Sequence, residues 1–120
     1  MIYSPPGIIV TRDEPAFRPL PSWTLVTSHG LVLLYIASNP NATIREIAAS
    51  LEITERRVAD IIKDLANADY VKIRRSGRRN HYTLNPAARF RHPFLSDIPF
   101  GRFVSLWRRA QERSKSAEQI

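Results

Sequence analysis

Thr43-Ile44-Arg45-Glu46-Ile47-Ala48-Ala49-Ser50-Leu51-Glu52-Ile53-Thr54-Glu55-Arg56-Arg57-Val58-Ala59-Asp60-Ile61-Ile62-Lys63-Asp64-Leu65 is the stretch on which the reading of this chain turns. Thr43 stands three residues before Glu46, the spacing of a capping box, in which each side chain serves the other's backbone amide. Ile44, Ile47, Ala48 and Leu51 fall at i, i+3, i+4 and i+7, a single apolar stripe on a helix. Thr54 is the next N-cap candidate, and Val58, Ile61, Ile62 and Leu65 repeat the spacing. Only Glu52 and Ile53 separate the last apolar residue of one helix from the cap of the next. Two amphipathic helices joined so tightly form a helix-turn-helix.

Upstream, Leu31-Val32-Leu33-Leu34-Tyr35-Ile36-Ala37 is apolar on all sides. Periodicity alone does not separate a helix from a buried strand there. Ser28 as N-cap, the stop at Asn39-Pro40 and the two helices that follow decide for a helix. Downstream, Val71 and Ile73 alternate with Lys72 and Arg74. Ser76-Gly77-Arg78-Arg79 supplies a turn in which glycine can take φ > 0, and His81-Tyr82-Thr83-Leu84 alternates back with Tyr82 and Leu84 toward the core. Residues 23–85 thus predict a mainly α fold with a small β-hairpin, three helices and a basic loop. Residues 86–120 form a further segment. Pro86, Pro93 and Pro99 punctuate a loop, and Phe100, Phe103, Val104 and Trp107 predict an extra C-terminal helix near 99–113, with fraying from Ser114. Residues 1–22 hold five of the nine prolines and predict an extended arm, too apolar at Ile8, Ile9, Val10 and Phe17 to be a plain solvated tail.

The chain has 120 residues, enough for one core. Eighteen Lys and Arg against eleven Asp and Glu give a net charge of +7, and the charge is unevenly spread. Residues 1–70 carry six basic and eight acidic side chains, whereas residues 71–115 carry twelve basic and two acidic. Fifteen of the eighteen cations are Arg, whose planar fork suits phosphate and guanine edges. A basic segment of this density points to a polyanion, most often nucleic acid. No apolar run reaches the ~18 residues of a membrane span, and the proline-broken N-terminus does not read as a signal peptide. The absence of cysteine excludes disulfides, thiolate metal sites and thiol chemistry. A reducing, cytoplasmic location is the expectation.

Helix, helix-turn-helix and basic hairpin in that order resemble a winged helix-turn-helix domain. Ala42–Leu84 resembles transcriptional regulators of the MarR/ArsR type through Thr43-Ile44-Arg45-Glu46-Ile47-Ala48, Leu51-Glu52-Ile53-Thr54, Val58, Leu65, and Tyr70-Val71 leading to the Arg-rich wing and Tyr82. Two positions depart from the pattern: such families often have glycine where Glu52 and Asp69 stand here. The resemblance implies a third helix in the major groove of double-stranded DNA and a wing on the adjacent backbone or minor groove. A helical wheel agrees, placing Arg56, Asp60, Lys63 and Asn67 opposite the apolar stripe, with Arg57 on one flank and Glu55 on the other. Thr43, Arg45 and Thr54 sit at helix starts, where amides and hydroxyls hold phosphates. The candidate DNA-binding set is therefore Thr43, Arg45, Thr54, Glu55, Arg56, Arg57, Lys63, Arg74, Arg75, Arg78 and Arg79. An exposed ion-pair face, Arg56–Asp60 and Asp60–Lys63, is the bland alternative on the third helix.

Nothing in the chain reads as an enzyme. His29, His81 and His92 have no metal-ligand spacing, no Gly-rich phosphate loop exists, and no nucleophile motif surrounds a serine. No cofactor is expected. The expected function is a sequence-specific DNA-binding regulator acting as a homodimer, paired through the C-terminal helix and the N-terminal arm. An RNA-binding winged helix and a protein-interaction module are the alternatives.

Overall fold

A computed structural model describes residues 20–118. The N-terminal arm expected over residues 1–22 lies almost wholly outside the described residues. The element order is α1 (Ser28–Ser38), α2 (Ile44–Leu51), α3 (Glu55–Asn67), β1 (Val71–Ser76), β2 (Arg79–Leu84), a short 3-10 turn (Pro93–Leu95) and α4 (Phe100–Glu118).

Helix α1 is apolar all round because it lies inside the molecule, with α2, α3 and α4 packed on it. Val32, Leu33, Leu34, Ile36 and Ala37 are buried. Its cap is Thr27, whose hydroxyl accepts from the Gly30 amide, and not Ser28 as the sequence suggested. Ser28 is instead the first helical residue. Both can cap, and the extended backbone at Thr27 decides between them. Asn39 closes the helix by returning its amide to the Tyr35 and Ile36 carbonyls.

Helix α2 carries the full capping box. The Thr43 hydroxyl accepts from the Glu46 amide at 3.1 Å, and Glu46 Oε1 accepts from the Thr43 amide at 2.9 Å. Glu52 ends the helix in the left-handed conformation, φ 58°. Thr54 caps α3 by accepting from the Arg57 amide. Val58, Ile61, Ile62 and Leu65 enter the core as one stripe. Asp69, at φ 66°, turns the chain out of α3 and into the hairpin. The two strands pair antiparallel from Val71↔Leu84 to Ser76↔Arg79, so Gly77 and Arg78 alone form the loop. Gly77 supplies the positive φ that a two-residue hairpin needs at its first position.

The core does not stop at residue 85. Phe100 and Val104 of α4 are buried with Tyr70, Val71 and Tyr82 in the same cluster as α1–α3. Tyr70 meets Phe100 edge to face at 5.2 Å and donates its hydroxyl to the Arg89 carbonyl. Gly101 passes so close to Pro86 that a Cβ would lie 2.7 Å from its carbonyl oxygen. Trp107 Nε1 donates to Ser38 Oγ at 3.0 Å and Arg108 donates to the Ala37 carbonyl at 3.1 Å, pinning α4 to the C-terminal end of α1. Trp23, by contrast, is 75% exposed. Helix α4 runs to Glu118, five residues past the expected end at 113. The stretch from Arg102 onward holds no glycine or proline, and Ala, Gln, Glu, Arg and Lys all favour helix.

Candidate nucleic-acid interface

The helix-turn-helix fixes where α3 points. Its apolar stripe is consumed by the core, so the opposite face, with Arg56, Asp60, Lys63 and Asn67, is turned to solvent. Arg45, Glu55 and Arg57 are exposed as well, and Thr43 is half-buried beneath its cap. Neither of the ion pairs expected as the alternative for this face, Arg56–Asp60 and Asp60–Lys63, is formed; among the described residues Arg79 pairs with Glu46, and His29 is hydrogen-bonded to Asp64. Arg56, Arg57 and Lys63 are thus free to meet an outside group. Asp64 is drawn away from that role by His29 of α1, at 2.8 Å.

The hairpin projects a second basic surface. Lys72, Arg74, Arg75 and Arg78 are exposed on β1 and the loop, and Arg75 Nε turns back to the Gly77 carbonyl at 3.4 Å. Lys72 belongs with this group and was absent from the residues singled out by sequence. Its alternation with Val71 and Ile73 was the signal that could have found it.

Arg79 behaves differently from its neighbours. Its Nη1 donates to the Asn41 carbonyl at 2.8 Å and to Glu46 Oε1 at 3.2 Å. The Glu46 carboxyl is held below the ordinary carboxylate range, first by the Thr43 backbone amide and next by the Arg79 guanidinium. Two residues on, His81 Nδ1 hydrogen-bonds Asn41 Oδ1, and the Tyr82 amide donates to the Pro40 carbonyl at 2.9 Å. The loop before α2 is therefore fastened to β2 at three points. Asn41 and His81 carried no sequence signal for this, because the partners are 40 residues apart.

The C-terminal helix turns its Phe100–Val104–Trp107 stripe into its own chain, where a dimer seam had been expected. Phe103 and Leu106 stay exposed, at 38% and 60%. Among the described residues no cluster of His, Asp and Glu could hold a metal ion, and no helix is long and apolar enough to cross a membrane.

Residues 24–79 match the model of the MarR family. Similar solved structures include MepR, a transcription regulator of the Staphylococcus aureus multidrug efflux pump MepA, at 18% identity over 80% of this chain and 67% of that one, with a TM-score of 0.48. The AntR antimony-specific transcriptional repressor is 18% identical over 89% of this chain and 100% of its own, TM-score 0.42. CymR, the global cysteine regulator of B. subtilis, is 20% identical over 55% of this chain and 57% of its own, TM-score 0.41. No curated protein matches the chain.

Proposed function

We propose that this chain, whose residues 24–79 match the model of the MarR family, is a transcriptional regulator that binds double-stranded DNA sequence-specifically through a winged helix-turn-helix. The observation that carries the reading is the pairing of two unneutralised basic surfaces. One is the start of α3, with Arg56 and Arg57; the other is the wing, with Lys72, Arg74, Arg75 and Arg78. In this reading α3 enters the major groove, where early helix positions reach base edges and arginine can pair with guanine O6 and N7. The wing lies on the flanking backbone or minor groove and supplies charge without sequence preference. Thr43, Arg45 and Thr54 approach phosphates at the two helix starts, where free amides and the helix dipole favour anions.

A homodimer belongs to the same reading. One short α3 covers few base pairs, and a two-fold pair doubles the footprint with half-sites about one turn, ~34 Å, apart. Phe103 and Leu106 of α4 and the exposed Trp23 and Leu25 ahead of α1 supply apolar surface for it, together with the arm before them.

Selection of bound duplexes from a random DNA pool, followed by sequencing, tests both parts. The expected result is an enriched motif with inverted half-sites. An unenriched pool, or single-stranded RNA competing as well as duplex, would remove the DNA reading. A single half-site would remove the dimer.

A further inference from the structure

We propose that Arg79 is a positioning residue that clamps the wing to the start of α2, rather than a contact to nucleic acid. Its three companions on the hairpin, Arg74, Arg75 and Arg78, have no acidic partner among the described residues, whereas its guanidinium already holds two acceptors. A lone ion pair with both side chains about half exposed would contribute little. This one is part of a network. One oxygen, Glu46 Oε1, accepts from both the Thr43 amide and Arg79, so the capping box of α2 and the anchor of β2 share an atom. On the same face of β2, two residues along, His81 reaches the side chain of Asn41, whose carbonyl Arg79 holds. The Tyr82 amide fixes the adjacent Pro40 carbonyl.

The consequence is geometric. Helix α3 is set on the core by its own stripe and the base of the hairpin by Val71 and Tyr82, while the tip, two strands alone, has little stability or fixed direction of its own. The clamp ties β2 to the loop that launches α2, and so fixes the angle between the wing and the helix-turn-helix. If base and backbone contacts are to be made together, that angle must be set before the encounter. Arg79 would then raise affinity by keeping the wing in place, and Glu46, though anionic, would raise it too.

This sign separates the clamp from a phosphate contact. Were Arg79 to meet a phosphate, Glu46→Gln would release it and remove a negative charge, and binding should tighten. For a clamp, Glu46→Gln keeps the capping box, since the amide oxygen still accepts from Thr43, but weakens the hold on Arg79, and binding should loosen. The experiment measures Arg79→Ala, Glu46→Gln and the double variant, full chain, against a fluorescein-labelled duplex of the selected sequence. Amide hydrogen exchange at Tyr82 is followed without DNA, with Ile61 in α3 as the control. The expected result is a loss of affinity of about two- to fivefold for each single variant, and no further loss in the double. Tyr82 should exchange about two- to fivefold faster in both, with Ile61 unmoved. Tighter binding by Glu46→Gln, or an unchanged Tyr82, would overturn the clamp. The affinity arm rests on the DNA reading. Failure of the wild-type chain to bind any duplex would remove that reading, while the exchange arm, which needs no DNA, would still decide the clamp.

Discussion

Glu52 and Asp69 hold the positive backbone angles found among the described non-glycine residues, φ 58° and 66°. Both stand where a helix has to end within one residue, and where a glycine would do so without a Cβ penalty. For an L-residue the left-handed conformation costs on the order of 1–2 kcal/mol, less for Asp, whose short side chain bonds locally. Glu52→Gly should therefore stabilise the fold. The gain is limited to about 1 kcal/mol because glycine also loses more chain entropy on folding. A higher urea midpoint with an unchanged slope would bear this out. Asp69→Gly should gain less. In the proposed reading, Arg56 is the exposed arginine that reads a base. Arg56→Ala should relax preference at a single position of the selected motif and cost roughly 1–3 kcal/mol there. A uniform loss across all duplexes would make it a phosphate contact instead.

At the scale of elements, the wing and α3 are expected to leave different signatures. Each phosphate neutralised by a cation contributes a slope of about −0.9 to log K against log salt concentration. Replacing Arg74 and Arg78 together by Ala should flatten that slope by up to ~2 units while leaving the selected motif intact. An unchanged slope would take the wing off the backbone. Sequence reading placed these elements within a residue or two. Capping box, stripes and turn are all local patterns, decided over a span of a few residues. Helix α1 ends just before Asn39-Pro40, as expected, but its cap is Thr27 and not Ser28, because two neighbouring hydroxyls compete and only the backbone angle chooses.

For the whole molecule, the C-terminal segment is the piece that packing reassigns. Tyr70, at the exit of α3, joins the two parts through its ring on Phe100 and its hydroxyl on the Arg89 carbonyl. Burial raises its hydroxyl above the ordinary tyrosine value, against the nearby Arg91 charge, which works to lower it. An acid whose folded value is raised favours the folded state while protonated. That stability is fully present below the unfolded tyrosine range and lost as pH rises through the folded value. Thermal midpoints followed above pH ~9 should fall in the wild type more than in Tyr70→Phe. Phe100→Ala should cost about 3–5 kcal/mol, as for a large side chain deleted from a core, and would show that residues after 85 are part of the fold. Leu106→Glu, on the exposed side of α4, should leave the monomer's stability alone and split the proposed dimer in sedimentation equilibrium. A monomer mass for both wild type and variant would reject pairing through α4.

What the sequence determined alone is the helix-turn-helix, the hairpin and the basic second half. Caps, stripes and turns act over three to seven residues, and net charge is a simple sum. Tertiary structure decided what depends on partners distant in the chain. Phe100, Val104 and Trp107 carry the same i, i+4, i+7 signal whether they face another copy or their own chain; Tyr70 was there to receive Phe100, and Ser38 to receive Trp107. Arg79 looks like Arg78 in sequence. One points out and the other is held, because Arg78 lies in the two-residue loop while Arg79 opens β2, on the face that meets Asn41 and Glu46.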